Sequence, residues 1–179
     1  KKNKFLEGTG SIIFDHLHSI AYACLSPRTD KDLFLAHCEQ LGYEPVYFIS
    51  SDEQGKLVYH TNVMLTIGDK FAVICLESIR DAAEREMVRQ KLEATGHEII
   101  DISEAQMNAF AGNMLQVASK SGDTFLVMSE SARKSLTPGQ VNQIEKYTRI
   151  LAVPIPTIET VGGGSARCML AEIFLPEKE

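Results

Sequence analysis

The chain has no tryptophan, and none of its cysteines stands in a CxxC pair. Cys24, Cys38, Cys75 and Cys168 are widely separated, so zinc-ribbon and thioredoxin-type sites lack their ligand spacing. There is no basic excess: 18 Lys and Arg face 24 Asp and Glu, for a formal charge of −6. The pI near 5.4 fits poorly with phosphate backbones, which need clustered cations, and nucleic acid is excluded as a general partner. A charge interrupts every apolar run before about 18 residues, so no membrane-spanning helix and no membrane role are expected. The opening KKNKFLEG lacks a secretory pattern, and a cytoplasmic, reduced setting is the simplest expectation.

What the chain does have is ordinary globular composition, 44% hydrophobic and 23% charged over 179 residues, enough for one domain with a buried core. It also repeats itself. GSIIFDHLHSIAYACLSPRT, TNVMLTIGDKFAVICLESIR and GNMLQVASKSGDTFLVMSES each contain a strand, a polar turn and a second strand. Ser11, Asn62 and Asn113 hold equivalent places, 51 residues apart in both steps. Helical stretches follow at DKDLFLAHCEQLG, DAAEREMVRQKLEATG and TPGQVNQIEKYTR, and third strands at EPVYFIS, HEIIDIS and RILAVPIP. Met87, Val88 and Leu92 have helical spacing, Gly42 and Gly96 are helix stops, and Thr137-Pro138 reads as N-cap and first helical residue. The unit is ββαβ, and the fold class is α/β. One domain over 1–179 is expected, with units at about 5–50, 57–103 and 109–157 and a closing strand at 165–175. Such units stack around an axis to bury a shared core; an open α/β sandwich is the plainer alternative.

In a radial array the polar residues at the inner strand starts converge. Here they are Glu7, His60, Asn113 and Cys168: a carboxylate, an imidazole, an amide and a thiol. Cys168 follows Gly162-Gly163-Gly164-Ser165, where the glycines permit close approach to a ligand and free amides for a developing charge. Arg167, placed among the substrate-binding candidates, could also favour the thiolate. The residues alone leave a second reading open, in which the glycines form a surface turn, Cys168 is an inert core thiol and His60 is structural. Cys24 and Cys75 read as core residues. His16, His18, His37 and His97 read as solvated. DHLH, with Asp15, His16 and His18, reads as a hairpin turn, and no metal site is expected there.

The segments LEGTGS, CLSPRT, YHTNVM, FAGNMLQV and ETVGGGSARCMLAEIFLP resemble the guanidine-modifying enzymes, the pentein or amidinotransferase superfamily. That group includes arginine deiminase, dimethylarginine dimethylaminohydrolase and glycine amidinotransferase. The chain most resembles arginine-deiminase-related bacterial citrulline-utilisation hydrolases. The resemblance implies a pentein-type α/β propeller of five ββαβ units. This chain would be an incomplete, C-terminal part of about three units plus a closing strand, with further blades and one acidic substrate ligand upstream of Lys1. It implies a Cys168 nucleophile, His60 as general acid and base, and Glu7 holding the substrate and orienting the histidine. Arg28 in SPRT would grip a substrate carboxylate, and Asn62, Gly163 and Gly164 would also contact substrate. Asn62 stands where deiminases carry an acidic residue; an amide has no charge to offer a guanidinium, which leans towards a neutral ureido group such as citrulline's. No metal or organic cofactor is implied, and the partner is a small amino acid. Uncovered strand surface at the open sides of the ring would favour a homo-oligomer. Two alternatives remain: an amidinotransferase using the same site, and a non-catalytic pentein-fold binding module.

Overall fold

A computed structural model describes residues 4–172. The chain opens with the short helix α1 (Gly8–Ser11), then β1 (Ile13–Asp15), β2 (Ile20–Cys24), α2 (Lys31–Leu41) and β3 (Glu44–Phe48). A 3-10 turn at Thr61–Val63 leads into β4 (Leu65–Ile67), β5 (Phe71–Ile74), α3 (Ala82–Ala94) and β6 (Glu98–Asp101). The third stretch runs through α4 (Glu104–Asn108), β7 (Leu115–Ala118), β8 (Thr124–Ser129), α5 (Glu130–Ser135), α6 (Pro138–Glu145) and β9 (Arg149–Val153). Each unit is a three-stranded sheet with its second strand in the middle, antiparallel to the first and parallel to the third.

That topology explains the sequence pattern. The middle strands are covered on both faces, so IAYAC and FAVI are uninterrupted apolar runs in which every residue is buried. A parallel third strand requires a crossover, and the helices supply it. Local chemistry sets their limits. The Asp30 carboxylate accepts from the Leu33 N–H at the start of α2, and Asp81 accepts from Ala83 and Glu84 at the start of α3. Thr137 and Gln140 form a capping box on α6 with Pro138 in the first turn. Gly42 (φ 73°) and Gly96 (φ 80°) take left-handed backbone where α2 and α3 stop.

The first strands lie side by side, β1 against β4 and β4 against β7, so they line a common axis. Helix α3 packs on both β3 and β6, and α6 on both β6 and β9, which knits neighbouring units together. A large core joins Ile13, Ile20 and Tyr22 of the first unit to Phe71, Ile74, Val88 and Leu92 of the second and Leu126, Met128 and Ile144 of the third. Leu92 is fully buried there, and Leu92→Ala is expected to cost about 2–5 kcal/mol, measured by urea unfolding.

Four expectations need correction. Residues 166–169 form a 3-10 turn and no strand follows through Glu172; residues 173–175 of the expected closing strand lie outside the described residues. Met87 is exposed, because α3 buries the stripe through Val88 and Leu92 and turns Met87 outward. His97 is buried, because the turn at Gly96 tucks it beneath the β1–β2 hairpin against Asp15. The short helices α4 and α5 were absent from the pattern; each makes a turn or so and is fixed by a serine cap, Ser103 or Ser129.

Candidate active site

The site lies where helical turns precede the axial strands. Glu7 sits just before α1, and its backbone N–H donates to Ser11 Oγ at 2.9 Å. His60 immediately precedes the Thr61–Val63 turn. The two meet: His60 Nε2 is 2.6 Å from Glu7 Oε2. This approach depends on Gly10, since a Cβ there would come within 2.8 Å of the His60 ring. Arg28, in the turn closed by Ser26 and Thr29, lies 3.7 Å from the same Glu7 oxygen and 5.2 Å above the Tyr59 ring.

Cys168 comes from the far end of the chain. It is the exposed member of four free thiols; the other three are buried. Burial pushes the Cys24 thiol up to about 12 and Cys75 to about 11, and it raises Cys38 as well. Gly163, at φ 66°, requires left-handed backbone, and a Cβ on Gly164 would press within 3.2 Å of the Cys168 sulfur. Tyr59 Oη donates to the Gly163 carbonyl at 3.1 Å, while Glu159 anchors the other side of the loop by accepting from Ser165 and Ser131, both at 2.7 Å. Burial opposes the Glu159 charge, but these hydroxyls, with Ser129, outweigh it and hold the carboxyl below its ordinary value.

Two amides face the sulfur. Asn113 is buried, and its Oδ1 accepts the Arg167 backbone N–H at 3.1 Å. That contact orients Nδ2 towards the Asn62 carbonyl at 2.7 Å and Cys168 Sγ at 3.3 Å. Asn62 Nδ2 lies 3.7 Å from the same sulfur, and Asn62 Oδ1 is buried without a hydrogen-bond partner among the described residues. The protonated thiol can instead reach Asn113 Oδ1 at 3.6 Å.

Glu7, Arg28, His60, Asn62, Gly163, Gly164 and Cys168 thus line one cavity of about 520 Å³. Arg167 is not among its lining residues. Its side chain is buried and turned away, donating to the Leu170 carbonyl at 2.8 Å and to Glu172 at 2.9 Å. Successive residues of a 3-10 turn point about 120° apart, so Arg167 and Cys168 cannot both face the cavity. Tyr59 and Thr9 line it and carried no sequence signal of their own, beyond the place of Tyr59 beside His60.

Three ββαβ units around an axial pocket, with a cysteine, a histidine and a carboxylate meeting there, define an α/β propeller of the pentein type. The family model for N,N dimethylarginine dimethylhydrolase, eukaryotic, matches residues 1–175, and the chain belongs to that family. The sequence matches none of the curated proteins. Among solved structures, the chain resembles apo ArgZ, an arginine dihydrolase from the ornithine–ammonia cycle in cyanobacteria (19% identity, TM-score 0.72, covering 92% of this chain and 24% of that one). It is similar to the product-bound N-terminal domain of ArgZ (18% identity, TM-score 0.72, 94% of this chain and 56% of that one). It also resembles AgrE in its ternary complex with ornithine and NAD+ (17% identity, TM-score 0.73, 100% and 24%). The chain therefore spans about a quarter of the full-length neighbours and a little over half of the ArgZ domain. At these identities the likeness establishes the pentein fold. No helix among the described residues is long and apolar enough to cross a membrane.

Proposed function

We propose that the Cys168 pocket hydrolyses C–N bonds at the guanidino or ureido carbon of an arginine- or citrulline-like amino acid. The observation that carries this reading is the 2.6 Å contact between His60 and Glu7 at the wall of the cavity that also holds the exposed thiol. Such a carboxylate–imidazole pair, opposite a nucleophile, is the arrangement that covalent acyl-type chemistry needs.

The Cys168 thiolate attacks the trigonal carbon, forming a C–S bond. His60, as imidazolium, gives its proton to the departing nitrogen as the C–N bond breaks. A thiouronium adduct results from a guanidinium, a thiocarbamate from a ureido group. Water then adds to that carbon, giving its proton to His60, and the C–S bond breaks to return the thiolate. Glu7 holds the imidazole in place, and Asn113 Nδ2 positions the sulfur. Arg28, half exposed at the rim, offers a guanidinium to a substrate carboxylate. Asn62 lines the cavity with an amide and so brings no charge to meet a guanidinium. This neutrality favours a ureido group over a guanidinium. A pentein-fold amidinotransferase would use the same residues and pass the adduct to an amine.

The test is product analysis with arginine, citrulline and N-methylated arginines, with and without an acceptor amine. We expect ammonia or an alkylamine to be released, with an adduct at Cys168 and rates unchanged by the acceptor. Transfer to the amine would identify a transferase. No turnover and no adduct on any of these substrates would overturn the reading.

A further inference from the structure

A second group of side chains meets at the other end of β1, apart from the Cys168 cavity. Asp15 ends the strand and is only 3% exposed. His18, in the hairpin turn, donates its backbone N–H to Asp15 Oδ1 at 3.1 Å and holds Nδ1 2.8 Å from Oδ2. His97 arrives from the second unit, just before β6, and points Nε2 at the same Oδ2 from 3.9 Å. One ligand atom from each of the three lies within 4.8 Å of the others.

The hydrogen bonds of His97 make this more than a crowded turn. Thr95 Oγ1 donates its single proton to the carbonyls of Lys91 and Leu92, at 3.1 and 2.9 Å. With that proton on a carbonyl it accepts from His97 Nδ1, 2.8 Å away, and in that tautomer Nε2 carries the lone pair. That lone pair faces a carboxylate oxygen, itself also an acceptor, in a buried setting. Two facing acceptors are stabilised by a cation between them.

Tyr22 adds an independent sign. Strand pairing sets Tyr22 opposite Ile13 and Ile20 opposite Asp15, so Tyr22 and Asp15 share a face of the sheet. The Tyr22 side chain is fully buried and its hydroxyl makes no hydrogen bond of normal geometry among the described residues. The Asp15 carboxylate acts on it and Thr95, the partner of His97 Nδ1, lies within its reach, which places the hydroxyl at this cluster. A buried unsatisfied hydroxyl is costly, and a metal-bound water would satisfy it.

We propose that Asp15, His18 and His97 bind a divalent transition-metal ion of the zinc type, with Tyr22 Oη bonded to a water in the fourth position. Two imidazoles and one carboxylate suit such an ion and fit calcium or magnesium poorly, since those take oxygen ligands. A tetrahedral ion with bonds of about 2.0–2.1 Å needs ligand atoms about 3.3 Å apart, so His97 and Asp15 must close by about 0.6 Å and His18 and Asp15 open by about 0.5 Å. The ion would fasten the hairpin of the first unit to the α3–β6 turn of the second. His16, which neighbours the cluster in sequence, is no part of it.

Chelator-treated protein titrated with Zn²⁺ by calorimetry, and with Co²⁺ by visible absorption, tests this. We expect one ion per chain and a rise in melting temperature on binding. Asp15→Asn, His18→Gln and His97→Gln should each weaken binding by at least about tenfold. His16→Gln and Cys168→Ser should leave it unchanged. His18 lies in an exposed turn, so His18→Gln tests the site even if the buried variants unfold. Absence of saturable binding, binding unchanged in His18→Gln, or binding lost in Cys168→Ser would each overturn the proposal, the last by moving the ion to the thiol pocket.

Discussion

Cys168→Ala is expected to lower turnover by about 10⁴-fold or more, the scale seen when a covalent nucleophile is removed. The exchange replaces a thiol with a hydrogen at an exposed position, so the melting temperature should change little. The same residue should carry the trapped intermediate. Mass spectrometry after acid quench should find the adduct on Cys168 alone, and iodoacetamide should label it first. The control is internal: Cys24, Cys38 and Cys75 are buried, and burial raises all three thiols. An adduct on one of those with Cys168 unmodified, or full turnover by Cys168→Ala, would remove the nucleophile from the proposed mechanism. Either result would place the chemistry on another residue.

The second large effect concerns the histidine and its carboxylate. His60→Asn should lower turnover by about 10²–10⁴-fold, the usual contribution of a positioned general acid–base. Glu7→Gln should also be impaired, because an amide in that place cannot offer His60 Nε2 the same charged acceptor at 2.6 Å. The informative measurement is the double variant. Groups that act as one unit are strongly non-additive, so Glu7→Gln with His60→Asn should be scarcely slower than His60→Asn alone. Losses that simply multiply would mean that Glu7 acts on the substrate independently of the histidine.

The β-rich parts of the fold were legible because the middle strands of the first two units are buried on both faces and apolar throughout, as in IAYAC and FAVI. The helix ends were legible at Thr137, Gly42 and Gly96, where the capping residue acts locally. Contacts made at long range were harder to read. The burial of His97 depends on a hairpin some eighty residues earlier, and nothing beside it in the sequence marks that neighbour. Arg167 looked like a site residue because it adjoins Cys168, yet the 3-10 turn sends the two side chains in different directions. The 51-residue recurrence placed Asn113 at the axis; its bond to the sulfur emerges only once Arg167 N–H has fixed the amide's orientation.

The pocket is held together almost entirely by bonds between units. Thr61 Oγ1 donates to the Ser11 carbonyl and accepts the Cys24 N–H at 2.8 Å, and Asn113 Nδ2 ties the third unit to Asn62 of the second. Within a unit, by contrast, strands pair with strands only a helix away in sequence. Each sheet can therefore form early from short-range pairings, while the pocket waits for the sheets to dock and for loops of about fifty residues to close. Reactivity should be lost in a definite order as the protein opens. Release of the first unit removes Glu7 and Arg28 from His60 and ends the chemistry. Cys168 would still lie against Asn113, a thiol kept in position after the groups that direct it have gone.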